Sequence, residues 1–148
     1  SQISDGSGAV LIMSREAAAK YGLKPRARFL ARAVAGVDPV MMLHGVIPAT
    51  RKVLAKAGLS IGDMDIVEIN EAFASVVLAW QKEINPPDMD KVNPNGGACA
   101  LGHPLGCTGA KLTASILREL ERRNGRYGMV TMCVGGGMGA AGIFERMN

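Results

Sequence analysis

Aromatic side chains are scarce in this chain of 148 residues, where they make up 4% of the sequence. Proteins that hold single-stranded nucleic acids stack the bases on aromatic rings, so the scarcity argues against that class of ligand. Basic residues outnumber acidic ones and give a formal charge of +4. That surplus suits an anionic small molecule, although much of it lies along one predicted helix, where a solvated face explains it as well. We expect no nucleic-acid partner.

Cysteines are few, and long hydrophobic runs are missing. Cys99, Cys107 and Cys133 form no CxxC pair, so the spacing predicts no metal site and indicates reduced thiols in the cytoplasm or an organelle matrix. No apolar run approaches the roughly 18 residues that cross a bilayer, so we expect no membrane partner. The opening segment Ser1–Gly6 has no initiator methionine and no signal-peptide pattern, as expected of a piece cut from a longer chain.

Glycine, by contrast, is abundant, and two glycine clusters each carry one reactive side chain. His103 lies within Gly96–Gly106, and Cys133 opens the cluster that runs to Gly139. Imidazole and thiol groups exchange protons near neutral pH, and glycine-rich turns let a backbone approach a ligand closely. Two structural alternatives remain open for these residues alone: a histidine that fixes a loop, and a buried apolar cysteine before a hairpin.

The hydrophobic periodicity predicts an α/β fold. The predicted strands are Ala9–Met13, Ala27–Ala35, Ile66–Ile69, Met129–Val134 and Ala140–Glu145, and the predicted helices are Arg15–Tyr21, Pro48–Ala57, Ala72–Ile84 and Thr108–Arg123. From Ala27 onward the order is β-α-β-α-α-β-β. Such alternation is typical of a mostly parallel sheet covered by helices, here with the last strand added as an antiparallel hairpin.

Asn70 and Glu71 join a predicted buried strand directly to a helix. Asparagine is among the best helix N-caps, so Asn70 either caps that helix or holds a water molecule at the sheet edge. Glu71 suits the first helical turn, where carboxylates are favoured. His44 lies in a long loop, where we interpret it as a loop or pocket-lining residue.

Three short motifs occur in a fixed order: Asn70-Glu71-Ala72-Phe73, then Gly102-His103-Pro104, then Cys133-Val134-Gly135. Together they strongly resemble the NEAF, GHP and CxG signatures of the C-terminal half of the thiolases, and the resemblance extends over essentially the whole chain. The flanking segments 93–98 and 100–104 are most similar to degradative 3-ketoacyl-CoA thiolases. The resemblance implies a mixed, mostly parallel five-stranded sheet of β-α-β-α-β-α-β-β type, with a short strand near Val92. It also divides the chain into a remnant of the N-terminal domain (residues 1–25) and the C-terminal domain (residues 26–148).

The resemblance also implies a reaction and a set of site residues. A thiolase cleaves 3-ketoacyl-CoA with coenzyme A into acetyl-CoA and a shortened acyl-CoA, as in β-oxidation, with coenzyme A as a substrate and no resident cofactor. The implied roles are an activating histidine (His103), an acid/base cysteine (Cys133), an oxyanion hole shared by His103 and a water on Asn70, a second oxyanion hole at the Gly135 N–H, and a pantetheine channel lined by Ser1, Ala72 and Phe73. The implied partners are the chain's own N-terminal half and further copies, in a homodimer or homotetramer.

The chain departs from the family pattern in two ways. No cysteine here matches the nucleophile, which the N-terminal half supplies, so this chain alone is expected to be inactive. His44 and Val46 stand where relatives usually carry an apolar residue and a proline, in a loop that lies near the acyl pocket in the family. Two alternatives stay open: a biosynthetic acetoacetyl-CoA thiolase, and a non-catalytic interaction fragment.

Overall fold

The computed structural model describes residues 1–147 and is built around a four-stranded mixed sheet. The strands are β1 (Ala27–Gly36), β2 (Ile66–Ile69), β3 (Tyr127–Val134) and β4 (Met138–Arg146), and the helices are α1 (Arg15–Lys20), α2 (Val46–Ala57), α3 (Ala74–Ile84), α4 (Ala98–Leu101) and α5 (Thr108–Arg123). The strand order is β1-β4-β3-β2. Only β2 and β3 pair in parallel, whereas β1 with β4 and β3 with β4 are antiparallel.

Helices cover both faces of the sheet because its inner strands are apolar on both sides. Val67, Ile69 and Cys133 point to the face that is packed by α2 and α3, where Trp80 is fully buried. Ile66 and Val130 point to the other face, which is packed by α5. All four residues of β2 are buried, as expected for a strand with helices above and below it.

The prediction of an α/β fold is confirmed, but two details of the sheet were wrong. Two of the three strand pairs are antiparallel, so the sheet is not mostly parallel. The fifth strand expected near Val92 is reduced to a single parallel bridge between Val67 and Val92. The ladder stops there because Asn93 has a left-handed backbone (φ 47°), and Pro94 has no N–H to donate to a ladder.

The segment Ala9–Met13, predicted as a buried strand, is not a strand, and most of its residues are exposed. An apolar run forms a strand only where a neighbouring strand forms hydrogen bonds with its backbone groups. The four strands of the sheet pair with one another and not with this segment. The helix that follows begins at Arg15 as predicted and ends one residue earlier than predicted. Ser14 is its N-cap, since the hydroxyl of Ser14 accepts the Ala17 N–H at 3.2 Å. The proposed domain boundary at residues 25 and 26 stays a prediction. None of the helices within residues 1–147 combines the length and apolar character needed to span a bilayer.

One carboxyl group lies in the core on the α5 side of β2. Glu68 is 2% exposed, and burial raises the pKa of its side chain from 4.5 to about 7. The nearby carboxylates of Glu119 and Glu71 act in the same direction, while the ammonium of Lys111 acts against them. Glu68 therefore stays protonated in the folded chain at a pH where the unfolded chain has already lost the proton.

Replacing Glu68 with glutamine is expected to stabilise the chain relative to the wild type at alkaline pH more than at acidic pH. Because the folded pKa is raised, ionisation removes stability as the pH rises from about 4.5 to about 7. One pKa unit corresponds to about 1.4 kcal/mol, so the difference between the variant and the wild type should grow by up to about 3 kcal/mol between about pH 5 and pH 8. Urea unfolding at both pH values measures it.

Glu121 provides the control for this measurement, because the Arg26 guanidinium lowers the pKa of its carboxyl group. Glu121→Gln should differ from the wild type by nearly the same amount at about pH 5 and pH 8, because a pKa lowered from 4.5 confines its stability change to more acidic solutions. A Glu68→Gln variant whose advantage is the same at both pH values would contradict the assignment.

Candidate active site

The parallel pair β2 and β3 brings two of the predicted residues to one edge of the sheet. Asn70 directly follows β2, and Cys133 is the penultimate residue of β3. The Asn70 N–H continues the ladder by donating to the Thr131 carbonyl oxygen at 3.0 Å. Carboxyl ends of parallel strands lie at the edge where open α/β sheets bind ligands, so both side chains lie where a substrate would arrive.

Asn70 is the residue that contacts the other two polar groups of this edge. It is 1% exposed, and its Nδ2 lies 3.3 Å from His103 Nε2 and 3.8 Å from Cys133 Sγ. Its Oδ1 is buried with no hydrogen-bond partner among residues 1–147. A buried acceptor without a partner costs free energy, so this oxygen is available to a bound water or ligand. Asn70 is not a helix cap, since Phe73 occupies the N-cap position of α3.

His103 is held by the beginning of α5. Its Nδ1 lies 2.6 Å from the hydroxyl of Thr108, and that hydroxyl donates to the Pro104 carbonyl oxygen at 2.9 Å. The Thr108 proton is thereby used, so we assign the ring proton to Nδ1, which donates to Thr108. Nε2 then carries the lone pair and accepts a hydrogen bond from the Asn70 amide, so it is the ring nitrogen that can act as a general base.

The environment keeps the imidazole neutral. Burial lowers the pKa of His103, and the positive charge of Lys111 lowers it further. Each of these effects disfavours the imidazolium ion. His103 is therefore a neutral base at neutral pH.

The environment keeps the thiol of Cys133 protonated. The residue is 7% exposed, and burial raises its pKa. Hydrogen bonds from the Asn70 amide and from the backbone at Cys133 and Ala72 oppose that shift, but burial is the larger effect. The Asn70 amide thus contacts one group that can accept a proton, the imidazole of His103, and one group that can donate a proton, the thiol of Cys133.

The glycine turn after Cys133 packs closely against the loop that precedes α2. The Val37 N–H donates to the Gly137 carbonyl oxygen at 2.7 Å. A Cβ atom on Gly139 would lie 2.1 Å from the carbonyl oxygen of Gly45, so neither backbone has room for a side chain there. Gly135 is exposed at the start of this turn. Its role as an oxyanion donor stays a prediction.

The structure also brings the start of the chain to this edge. The Ser1 nitrogen lies 3.0 Å from the Ala72 carbonyl oxygen, and the His103 N–H donates to the Gln2 carbonyl oxygen at 3.2 Å. Phe73 is 59% exposed. Their assignment to a pantetheine channel stays a prediction. His44 lies in a 3-10 turn before α2, and its Nδ1 is buried without a partner in the described part of the chain.

Sequence reasoning missed two residues that support the site. Thr108 orients His103, and the available signal was a hydroxyl at the start of a helix, five positions after the histidine. Asn93 binds the backbone of Ile69 through its side chain, for which the tendency of asparagine side chains to bind nearby backbone groups was the only hint. Among residues 1–147, no group of three or more metal-ligating side chains is arranged to hold a metal ion.

Comparison with known proteins agrees with this geometry. The family profile described as "Thiolase, C-terminal domain" matches residues 23–146. The chain belongs to the thiolase family. It is 60% identical, over 147 residues, to the steroid 3-ketoacyl-CoA thiolase FadA6 of Mycobacterium tuberculosis, a match that covers 99% of this chain and 36% of that protein.

Two crystal structures show the same thiolase fold. The human mitochondrial 3-ketoacyl-CoA thiolase aligns with a TM-score of 0.87 at 46% identity, covering 91% of this chain and 34% of that one. The acetyl-CoA acetyltransferase of Bacillus anthracis aligns with a TM-score of 0.87 at 50% identity, with the same coverage of 91% and 34%. This thiolase chain therefore spans about a third of the length of the relatives it matches.

Proposed function

We propose that this chain is the C-terminal part of a degradative thiolase, an acetyl-CoA C-acyltransferase that cleaves 3-ketoacyl-CoA with coenzyme A in β-oxidation of fatty acids or related acyl chains. The observation that carries the proposal is the meeting of Asn70, His103 and Cys133, from three distant segments, within hydrogen-bond reach of one amide. The proposed chemistry uses no resident cofactor, and coenzyme A takes part in it as a substrate.

His103 is the base that activates the nucleophile. A cysteine thiol from the N-terminal half gives its proton to Nε2 of His103, and the thiolate attacks the 3-keto carbonyl carbon of the substrate. The neutral ring and its Thr108 contact support this role, since both leave Nε2 free to accept a proton. The bond between C2 and C3 then breaks, which leaves an acyl group on the nucleophile and the enolate of acetyl-CoA.

Cys133 is the acid and then the base of the two half-reactions. Its thiol protonates C2 of the enolate, which releases acetyl-CoA and leaves a Cys133 thiolate. That thiolate takes the thiol proton of the incoming coenzyme A, whose sulfur attacks the acyl group on the enzyme. The nucleophile leaves as a thiolate and recovers the proton held by His103. The raised pKa of Cys133 supports the acid role, because a thiol must be protonated when the enolate forms.

Two oxyanion holes complete the proposed site. A water held by the unpartnered Oδ1 of Asn70 binds, together with His103, the thioester oxygen that becomes the enolate. The Gly135 N–H contributes to the second hole, for the carbonyl oxygen attacked by the nucleophile. Ser1, Ala72 and Phe73 line the channel for the pantetheine arm of coenzyme A. Donors of this kind are typically worth about 100- to 1000-fold in rate.

The further partners are the N-terminal half, which supplies the nucleophile, and other copies in a homodimer or homotetramer. Without that half this chain is inactive. We place the enzyme in the cytoplasm or in an organelle matrix. A second candidate, the biosynthetic acetoacetyl-CoA thiolase, is supported by the similarity to an acetyl-CoA acetyltransferase.

An assay of the complete protein separates these functions. Its substrates are acetoacetyl-CoA, a long linear 3-ketoacyl-CoA and a steroid-derived 3-ketoacyl-CoA, each with coenzyme A, and products are followed by mass spectrometry. A degradative thiolase is expected to release acetyl-CoA from the larger substrates. Turnover of acetoacetyl-CoA alone would favour the biosynthetic enzyme. If no substrate is cleaved, the remaining hypothesis is the non-catalytic interaction fragment.

A further inference from the structure

Glu71 lies between β2 and α3, but its carboxylate serves a different helix. Oε1 accepts a hydrogen bond from Asn93 Nδ2 at 2.9 Å, and Oε2 accepts one from the Cys99 N–H at 3.0 Å. Cys99 is the second residue of α4. Glu71 therefore ties the end of a central strand to the first turn of the short helix that leads to His103.

The Asn93 side chain makes one end of this tie rigid. Its Oδ1 accepts the Ile69 N–H at 2.8 Å, and its Nδ2 donates to the Ile69 carbonyl oxygen at 3.0 Å. These are the two bonds that a neighbouring strand would make, so the amide of Asn93 replaces one residue of the missing fifth strand. The same Nδ2 binds Glu71, which anchors the carboxylate to the edge of β2.

Gly97 shows how closely the carboxylate is enclosed. A Cβ atom at this residue would lie 1.9 Å from Glu71 Cδ and about as close to both carboxylate oxygens, at 2.1 and 2.2 Å. Gly97 immediately precedes α4, which ends at Leu101, and His103 follows two residues later. The position of α4 against Glu71 thus determines where the imidazole ring lies.

We propose that Glu71 is a positioning residue that holds His103 against the Asn70 amide through α4. Asn70 and Glu71 are adjacent, so one dipeptide contacts both the ring and the helix that delivers the ring. Among residues 1–147, the hydrogen-bond partners of the Glu71 carboxylate are Asn93 and Cys99, and neither the ring nor Cys133 is one of them. Its importance for turnover rests on the proposed thiolase function, whereas its effect on the ring does not.

The charge of Glu71 and its positioning role predict opposite changes in the pKa of His103. A carboxylate near the ring favours imidazolium, so removal of its charge alone would lower the pKa. The Asn70 amide bond to Nε2 favours the neutral ring, so its loss would raise the pKa. The ammonium of Lys111, which acts on the ring, and the Cys133 thiol, which contacts the Asn70 amide, are both unchanged by a substitution at Glu71.

An NMR titration of the complete protein tests the proposal without any enzyme assay. Glutamine has the shape of Glu71 but only one acceptor oxygen, so Glu71→Gln loses one of the two bonds. The Cε1–H signal of His103 is assigned as the one that is missing from a His103→Gln variant. We expect the pKa of His103 to rise in Glu71→Gln. Glu68→Gln, which removes a neighbouring carboxyl group without touching α4, is the matched control and should not raise it.

Gly97→Ala is a second variant that displaces the carboxylate sterically and keeps its charge. It should raise the pKa of His103 in the same direction, with α-helical circular dichroism retained. An unchanged or lowered pKa in both folded variants would overturn the proposal.

Kinetics of the complete protein supply the catalytic readout. Displacement of a reacting group by about 1 Å can cost about 100-fold in rate, so Glu71→Gln is expected to lower kcat by about that factor and leave KM for coenzyme A within a few-fold. An unchanged kcat would overturn the positioning role. If the wild-type protein shows no thiolysis, the proposed function fails, and the titration still decides whether Glu71 positions the ring.

Discussion

Replacement of His103 by alanine in the complete protein is expected to lower kcat for thiolysis by about 1000-fold, within the range typical of a lost general base. Nε2 of His103 carries the lone pair that faces the Asn70 amide, and alanine leaves no group there to take the thiol proton. The same change removes one donor to the thioester oxygen, so both bond cleavage and acyl transfer are slowed. Steady-state kinetics with a 3-ketoacyl-CoA and coenzyme A measures the loss.

The other histidine provides the control for this experiment. His44→Gln changes an imidazole in the loop before α2 and should reduce kcat far less than His103→Ala does. Both variants should retain the circular dichroism spectrum of the wild type. Near-complete activity of a folded His103→Ala protein would contradict the proposed mechanism.

Replacement of Cys133 by serine is expected to lower kcat by about 100- to 10,000-fold. A hydroxyl group has nearly the shape of the thiol, but its pKa is far too high for it to protonate the enolate and then to take the proton of coenzyme A. The acyl group can still reach the nucleophile, so an acylated enzyme should accumulate. Mass spectrometry of the intact protein after rapid mixing detects that species.

A second measurement isolates the proton transfer at Cys133. Exchange of the acetyl-CoA methyl hydrogens with deuterated water requires the enolate and a group that moves its proton, so the exchange should be lost in Cys133→Ser. Cys107→Ser, which alters a partly exposed thiol at the start of α5, should exchange normally. Wild-type exchange in Cys133→Ser would show that another group carries the proton.

Local patterns predicted the elements whose ends are marked by the chain itself. The bounds of β2 and α5 match the prediction residue for residue, because β2 is a short apolar run and α5 combines helical spacing with Asn124 as a left-handed C-cap. Helix α3 begins two residues later than predicted, at Ala74. Because the helix begins later, the polar residues that follow β2, Asn70 among them, lie at the edge of the sheet and not in the helix.

Pairing decisions between distant segments could not be predicted in the same way. The run Ala9–Met13 has strand-like composition but no partner strand, and Val92 pairs at only one position because the Asn93 side chain takes over the ladder. Glu71 looked like a first-turn carboxylate of its own helix, yet it binds α4. In each case the outcome depends on which backbone N–H and carbonyl groups of a distant segment still need a hydrogen-bond partner.

The amino-acid sequence alone determined the family and most helix and strand bounds, because motifs and periodicity are local properties of the chain, and the same motifs predicted the residues that carry the chemistry. Only the tertiary structure decided how these residues act together. His103 lies 33 positions after Asn70, and Cys133 lies 30 positions after His103, so their contacts depend on how β2, β3 and α5 pack. The ring tautomer and the directions of both pKa shifts follow from that packing, because burial and hydrogen-bond partners set the free energy of each protonation state.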